Sequence, residues 1–326
     1  MDSPYHISVS VAVPTFNREA VLIETLEQVL AQDPPADEVL VVDQTPEHEP
    51  ETEAYLHARH EEGKLRWIRH SPPNLNAARN RAVWETACEV LILIDDDVDL
   101  VPGFIEKHAR NYDDPTILAV AGRTIQANGN TPAAKATPWV RPLGFEPFAL
   151  DGTERLQRVA SFIGANHSVR VSAIRAVGGY DPHYVGPLYN ESDAALELSK
   201  LPGRVVFDPE AKVDHKQMPG GGVRKASSQS HPEYWMSFST VYFHMKHFFP
   251  GWYFWKQVFF VQFRRRVFYK RALTRPWRMP WSVLSYGYSI GRAARICRQA
   301  RRERRAASVV VPPSCGNSVT EHRKAA

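Results

Sequence analysis

Three consecutive carboxylates, Asp95, Asp96 and Asp97, directly follow an apolar run at 91–94. The run is too short for a helix and consists of Leu and Ile, which predicts a buried strand with the acids at its carboxyl end. Adjacent carboxylates repel one another unless a cation or hydrogen-bond donors satisfy them, and the run itself contains no Lys or Arg. Mg²⁺ or Mn²⁺ would satisfy them, because both ions take oxygen ligands and share them with substrate phosphates. The alternative is an acidic loop that caps the next helix, a role that suits Asp99.

The elements that must position these acids follow from the hydrophobic periodicity. Strand and helix patterns alternate up to the acidic run and are joined by short links. This alternation predicts an α/β fold with a parallel sheet and helices on both faces, in which ligands bind outside the carboxyl ends of the strands. Strands are expected at 7–13, 38–43, 65–70 and 91–94, and helices at 18–32, 52–62 and 74–88.

The pattern after the acidic run is less regular. Residues 128–155 are rich in Pro, Gly and polar side chains, which predicts a mobile loop. The Gly-rich run at 220–222 is expected to be a flexible loop that either closes over a phosphate or only links two elements. Helices are expected at 102–112, 171–177 and 190–200, and strands at 117–125, 161–170, 204–207 and 211–213.

Several short motifs occur in a fixed order, and together they are more specific than any one of them. The motifs are Val13-Pro14-Thr15-Phe16-Asn17-Arg18, Val41-Val42-Asp43, Ala78-Arg79-Asn80, Asp95-Asp96-Asp97, Gly178-Gly179-Tyr180-Asp181 and Glu191-Ser192-Asp193. They resemble a family 2 glycosyltransferase with a GT-A fold over roughly residues 7–215. The resemblance implies a Rossmann-like, mostly parallel sheet and the transfer of a sugar, with inversion, from a nucleotide diphosphate donor in the presence of Mg²⁺ or Mn²⁺.

The resemblance also implies which residues hold the donor. Pro14, Thr15 and Arg18 would line the nucleotide crevice at the end of the first strand. Asp43 would accept hydrogen bonds from the base, although an Asp after a strand often caps a turn. Arg79 would approach the base or the diphosphate. The donor would be linked to UDP, GDP or dTDP, and the acceptor would be a glycan or a lipid-linked sugar.

The metal site is implied by the same resemblance. Asp97 would coordinate the ion, while Asp95 and Asp96 would hold the ribose or share the ion. His215, which follows a predicted strand, either completes the metal site or is an ordinary histidine at a sheet edge. Imidazole coordinates Mn²⁺, whereas Mg²⁺ prefers oxygen ligands.

A catalytic base is expected in the helix at 190–200. The resemblance matches Asp193 to the base, and Glu191 takes that role if the helix begins elsewhere. The base must take a proton from the acceptor hydroxyl on the face of the sugar opposite the leaving diphosphate. The structural alternative is that both acids only favour a helix N-terminus.

The C-terminal part of the chain differs in composition. Residues 234–263 contain fourteen aromatic side chains. Residues 262–305 carry fourteen Lys and Arg against one Glu, a net charge of +13, which leaves −9 for the rest of a chain whose net charge is +4. Aromatic rings beside cations suit a membrane interface. The segment 235–305 is therefore expected either to dock on an anionic membrane surface or to pack on the catalytic domain as a helical appendage.

These observations predict the domain organisation of the chain and the location of the protein in the cell. A catalytic domain is expected at 1–230, with a nucleotide-binding half at about 7–100 and an acceptor half at about 101–230. An aromatic and basic helical appendage follows at 231–305, and a disordered tail at 306–326. Three scattered cysteines, with no signal peptide, fit a reducing, cytoplasmic location, with the appendage on the inner face of the plasma membrane.

The resemblance implies a hexosyltransferase in the synthesis of a polysaccharide, a glycolipid or a cell-envelope glycan. Two other functions are alternatives to it. A nucleotidyltransferase would normally carry a Gly-rich phosphate loop after the first strand, but residues 14–18 contain no Gly. A nucleic-acid-binding protein could use the basic segment, but the rest of the chain is acidic and no recognition module is visible. We therefore expect no nucleic-acid partner.

Overall fold

The computed structural model describes residues 7–127, 129, 140–147, 149–184, 188–218, 220–222, 232–267, 277 and 279–309. The chain divides into two compact units, Met1–Ser239 and Thr240–Ala326, which we call the N-terminal unit and the C-terminal unit. Parts of the expected loop at 128–155, and residues 310–326 of the expected tail, lie outside the described residues.

The first part of the N-terminal unit is a regular alternation of strands and helices. Helix formation follows the apolar spacing, since Leu22, Leu26 and Val29 form one buried stripe. The side chain of Asn74 caps a later helix by accepting a hydrogen bond from the Ala77 backbone N–H. The elements are β1 Val9–Thr15, α1 Ala20–Leu30, β2 Glu38–Asp43, α2 Pro50–Glu61, β3 Arg66–Arg69, α3 Leu75–Glu85 and β4 Val90–Ile94.

The rest of the N-terminal unit has shorter helices and longer strands. Its elements are β5 Val98–Leu100, α4 Phe104–Ala109 with a 3₁₀ turn at Arg110–Asp113, β6 Ile117–Gln126, β7 Asn166–Arg170, α5 Val171–Ala176, α6 Asn190–Leu198 and β8 Arg204–His215.

The eight strands of the described residues form one sheet in the order β3-β2-β1-β4-β7-β6-β8-β5. Strands β1 to β4 are parallel, β7 runs antiparallel to β4 and β6, β8 is parallel to β6, and β5 is antiparallel to β8. The carboxyl ends of β1, β2 and β4 therefore meet at one edge of the sheet. The pairing of Val98 with His215 brings the end of β8 beside Asp97 at that edge.

The core lies on both faces of the sheet. Val9, Val11 and Val13 of β1 alternate in a strand and belong to one buried cluster with residues of α1, α2 and α4. Ala12 points to the opposite face and belongs to a second cluster with residues of α3, α5 and α6. Each fully buried Val, Leu or Ile contributes roughly 1.5–3 kcal/mol, so both layers hold the sheet rigid beneath the edge. The predicted sheet with helices on both faces is confirmed.

One alternative and one expectation about elements were wrong. Asp99 does not cap the next helix; it lies in β5 and pairs with Asp214 of β8, and α4 begins after Gly103. The strands expected at 204–207 and 211–213 are one continuous strand, β8. The register along β6 jumps from the pair Gly122–Asp208 to the pair Arg123–Lys212, so a bulge absorbs the polar residues that interrupt the apolar pattern.

The C-terminal unit is helical in its described part. Helix α7 at Pro232–Phe248 begins within the N-terminal unit and continues into the C-terminal unit. It is followed by α8 Trp252–Trp255, a π-helical segment Lys256–Gln262, α9 Phe263–Val267 and α10 Met279–Val309. None of the described helices has the length and apolar content needed to cross a membrane.

Candidate active site

A cavity of about 270 Å³ lies at the carboxyl ends of β1 and β4. Seven of the residues predicted for the nucleotide and the metal line it together, which a sheet edge built from parallel strands explains. The lining residues are Pro14, Thr15, Phe16, Arg18, Gln44, Leu75, Asp95, Asp96, Asp97, His215, Gln217, Met218, Gly221 and Gly222.

Asp96 is buried, and both of its oxygens have protein partners. Thr15 Oγ1 donates to Oδ2 at 2.7 Å, and Arg18 Nε lies 3.2 Å from Oδ1. Burial raises the pKa of the Asp96 carboxyl to about 7, although Arg18 and Thr15 favour the ionised form. The charges of Asp97 and Asp95 raise this pKa further. The three neighbouring carboxylates repel one another, so a cation at this edge would compensate their charge.

Asp97 is also buried, but its pKa is lowered rather than raised. Its Oδ2 accepts hydrogen bonds from Arg18 Nη2 at 3.0 Å and from the Met218 backbone N–H at 2.9 Å. His215 Nε2 lies 3.1 Å from Oδ1. Burial opposes ionisation, but the hydrogen bond and charge of His215, with Arg18 and the Met218 N–H, outweigh it and lower the pKa of Asp97. Asp97 is therefore the carboxylate that stays ionised.

His215 is oriented by Gln126. The Gln126 Oε1 atom lies 3.1 Å from His215 Nδ1, so Nδ1 donates the hydrogen bond and Nε2 faces the acids. One ligand atom each from Asp95, Asp97 and His215 lie within 4.8 Å of one another. Two carboxylate oxygens and one imidazole nitrogen, with the imidazole held from behind, fit a divalent ion such as Mn²⁺ or Mg²⁺.

The chain after β8 folds back over the same acids. Arg18 Nη1 donates to the backbone carbonyls of Met218, at 3.4 Å, and of Gly220. The Gly222 N–H donates to the Phe16 carbonyl at 2.8 Å. Gly221 has a φ of +65°, and a Cβ there would collide with the Asn17 carbonyl oxygen, so only glycine fits this approach.

Asp43 lies at the end of β2 but is fully buried. Its Oδ2 lies 3.0 Å from each of three donors, on His48, Trp67 and Arg69. The Thr45 backbone N–H donates to Oδ1 at 2.8 Å. Asp43 is not among the residues that line the cavity, whereas the next residue, Gln44, is. A direct contact between Asp43 and a base stays a prediction.

Arg79 is buried on α3 and faces α6. Its Nη2 and Nη1 atoms lie 3.4 and 3.5 Å from Glu191 Oε1, and its guanidinium lies 5.6 Å from the centre of the Tyr180 ring. A Cβ on Gly164 would collide with Arg79 Nη2 and lie 2.8 Å from Glu191 Oε1. Arg79 therefore holds Glu191 in place, and it does not line the cavity.

Asp193 lies in the first turn of α6, and Tyr184 Oη donates to its Oδ1 at 3.0 Å. A series of contacts places the start of α6 at the same sheet edge as the acids. Ile94, which precedes Asp95, pairs with Asn166 at the start of β7, and Gly164, two residues earlier, leaves no room for a Cβ beside Arg79 and Glu191. The assignments of Asp193 and Glu191 as catalytic base stay predictions.

Several residues at the site were not identified from the sequence. Gln44 and Gln126 could have been found, because each is a polar residue at the carboxyl end of a strand, where ligands bind. Met218 could not, since it acts through its backbone N–H. The others are Phe16, Leu75, Tyr184 and Gln217.

Comparison with known families and structures gives one family and one fold. The family model described as glycosyl transferase family 2 matches residues 10–178. A search of curated protein sequences finds no match.

Three solved structures share the fold at low sequence identity. A mannosyltransferase, PcManGT from Pyrobaculum calidifontis in complex with GDP-Man and Mn²⁺, is 18% identical, with a TM-score of 0.54 over 96% of this chain and 83% of that chain. GalNAc-T7 with UDP, GalNAc and Mn²⁺ is 13% identical, with a TM-score of 0.52 over 75% of this chain and 52% of that chain. TarS of S. aureus is 14% identical, with a TM-score of 0.50 over 80% of this chain and 48% of that chain. These similarities confirm the predicted GT-A fold class.

Proposed function

Because this chain belongs to glycosyl transferase family 2 and is a glycosyltransferase, we propose that it transfers a sugar, with inversion, from a nucleotide diphosphate donor to an acceptor hydroxyl. The observation that carries this proposal is the cluster of Asp95, Asp97 and His215 in the cavity at the sheet edge. A diphosphate is an anion and cannot lie against bare carboxylates, so a cation must join the two. The GDP-Man and UDP complexes of the structural neighbours, both with Mn²⁺, support the donor class and the ion.

Asp95, Asp97 and His215 would hold Mn²⁺ or Mg²⁺. When bound, the ion would stabilise the negative charge on the departing diphosphate. Arg18 adds a fixed positive charge to the lining of the cavity, because its guanidinium is held against Asp96 and Asp97. A guanidinium has five N–H donors, so Arg18 can contact these carboxylates and a phosphate oxygen together.

We assign Asp193 as the base. Its carboxylate takes the proton of the acceptor hydroxyl while that oxygen forms a bond to the anomeric carbon, and the bond from that carbon to the diphosphate breaks on the opposite face. A single displacement of this kind inverts the anomeric centre. Glu191 is less suited to the role, since Arg79 already occupies its carboxylate. Glu191 instead positions α6.

The donor nucleotide lies against Pro14 and Thr15 at the end of β1, with the base directed toward Gln44 at the end of β2. UDP, GDP and dTDP are the candidate nucleotides. We propose a glycan or a lipid-linked sugar as the acceptor, in the synthesis of a polysaccharide, a glycolipid or a cell-envelope glycan.

Calorimetric titration of the full chain with UDP, GDP and dTDP, with Mn²⁺ or with a chelator, tests the donor class. We expect one nucleotide to bind with Mn²⁺ and its sugar conjugate to be hydrolysed slowly without an acceptor. Asp97→Ala should weaken metal-dependent binding by about a hundredfold, because it removes the ligand that stays ionised. Asp113→Ala, an exposed acid away from the cavity, is the control and should bind as the wild type does. Unchanged binding by Asp97→Ala would remove it from the metal site, and no binding of any nucleotide would overturn the donor class.

A further inference from the structure

Ten of the thirteen large apolar side chains that are exposed in the described residues lie between Phe249 and Tyr288. Soluble proteins seldom expose so many large apolar side chains in one part of the chain unless something covers them. The stretch belongs to the C-terminal unit, and none of its described residues lines the cavity that contains Asp97.

One face of α10 presents these side chains in a helical pattern. Trp281, Leu284 and Tyr288 follow the 3-4 spacing of a single helix face, and Trp281 is 74% exposed. The same spacing continues through Gly291 to Arg295, and Arg298 and Arg302 follow on that face. The outward face of α10 is therefore aromatic in its first half and cationic in its second half.

The opposite face of α10 is fixed inward. Tyr286 is buried, its Oη donates to the Val258 carbonyl at 2.6 Å, and its ring centre lies 5.6 Å from that of Phe263. Ser289 and Ala293 are also fully buried. Because these contacts anchor the inner face, the aromatic outer face cannot turn into the core of this unit.

The helical run from α8 through the π-helical segment also exposes aromatic side chains. Trp252, Trp255, Phe259 and Phe260 are exposed, and Phe260 is 72% exposed. The run lies antiparallel to α10, as Val258 bonds to Tyr286 while Phe249 lies 5.5 Å from the guanidinium of Arg301. Trp252 and Trp255 are therefore level with the arginines of α10.

We propose that the C-terminal unit docks on an anionic lipid bilayer, with its aromatic rings at headgroup depth and its arginines on lipid phosphates. Trp and Tyr prefer the membrane interface, and arginine binds phosphate oxygens through two N–H groups. No described helix can cross a membrane, so the mode is interfacial.

Two other occupants fit less well. Single-stranded nucleic acid stacks on aromatic rings, but it gains nothing from Leu284, which lies between Trp281 and Tyr288 on the α10 face. A second copy of the chain packed with its α10 parallel to the first would bring arginines of the same face toward one another, and light scattering tests the antiparallel arrangement.

Flotation of the full chain with vesicles tests this proposal independently of any donor. We expect binding to vesicles of phosphatidylcholine with phosphatidylglycerol and little binding to phosphatidylcholine alone. Arg295→Gln combined with Arg298→Gln should lower the partition coefficient by about thirtyfold, which corresponds to about 1 kcal/mol for each arginine. Trp281→Ser combined with Leu284→Ser should lower it by at least about tenfold. The matched controls are Trp84→Ser and Arg141→Gln, which change an exposed Trp and an exposed Arg of the N-terminal unit and should bind as the wild type does.

Circular dichroism and thermal melting test whether each variant is folded. A wild-type chain that floats with neither vesicle, or a Trp281→Ser/Leu284→Ser variant that floats as well as the wild type, overturns the proposal. Equal binding to both vesicles overturns the role of the arginines. Light scattering that shows a dimer which only the aromatic variants dissociate assigns the surface to a second copy, and displacement from vesicles by an oligonucleotide assigns it to nucleic acid.

Discussion

Two adjacent carboxylates at the end of β4 differ in what surrounds them. Asp96 gives one oxygen to Thr15 and the other to Arg18, and burial raises its pKa to about 7. Asp97 is kept ionised by His215 and Arg18, and its Oδ1 faces His215 and the cavity. The acidic run therefore contains Asp97, which we propose as a metal ligand, and Asp96, an anchor that fixes the ends of β1 and β4 together.

The role of the two acids on α6 can be separated by substitution. Asp193→Asn keeps the size of the side chain and can still accept the hydrogen bond from Tyr184, but it cannot take a proton. We expect the rate of transfer to fall by about 10²–10⁴-fold while the dissociation constant of the donor stays unchanged. Initial-rate kinetics with the acceptor, beside calorimetric titration of the donor, measure both quantities.

Glu191→Gln is the matched comparison. It weakens the contact with buried Arg79, so we expect a lower melting temperature and a change in turnover much smaller than that of Asp193→Asn. If Glu191→Gln instead abolished transfer while Asp193→Asn kept it, the base would be Glu191.

At the scale of elements, the segment after β8 connects Asp97, which follows β4, with Arg18, which follows β1. The Met218 N–H bonds to Asp97, and Arg18 bonds to carbonyls of the same segment. We expect Gly221→Ala to push this segment off β1, because alanine at a φ of +65° is strained by about 1–2 kcal/mol and its Cβ meets the Asn17 carbonyl. The dissociation constant of the donor with Mn²⁺ should rise by about tenfold.

Gly220→Ala is the control for this variant. A Cβ on Gly220 would meet no atom within 4 Å, the residue has no positive φ, and its carbonyl stays available to Arg18. Equal donor affinity in the two alanine variants would show that the approach of the segment to β1 does not contribute to binding.

The local hydrophobic pattern of the sequence predicts the strands that carry the acids, but it does not predict all of the strands that complete the site. The strand at 38–43 has the predicted bounds, because its apolar run is too short for a helix and ends at an acidic residue on each side. β5 was missed because it has three residues and its partner, β8, lies more than a hundred residues later. Parallel pairing of β1 and β4 is enough to predict that Thr15 and Arg18 lie beside the acidic run. The contact between Gln126 and His215 could not be predicted, because it depends on the register of β6 and β8.

At the scale of the whole molecule, the chain separates charge along its length. The basic segment 262–305 carries a net +13 in a chain of net +4, and the acids of the site lie in the remainder. The two proposed anion-binding surfaces therefore differ in kind. The donor would meet buried acids through a metal and Arg18, whereas lipid phosphates would meet arginines that project into solvent, such as Arg295 and Arg298.

Salt should affect these two surfaces unequally. Raising NaCl from about 0.05 M to about 0.5 M shortens the Debye length from about 14 Å to about 4 Å and screens exposed charges far more than buried ones. We expect vesicle binding to fall by more than about tenfold and the donor dissociation constant, at fixed Mn²⁺, to change by less than about threefold. Flotation and calorimetry across one salt series measure both. A parallel loss would mean that exposed charge also holds the donor, and salt-independent flotation would mean that the aromatic face alone binds the bilayer.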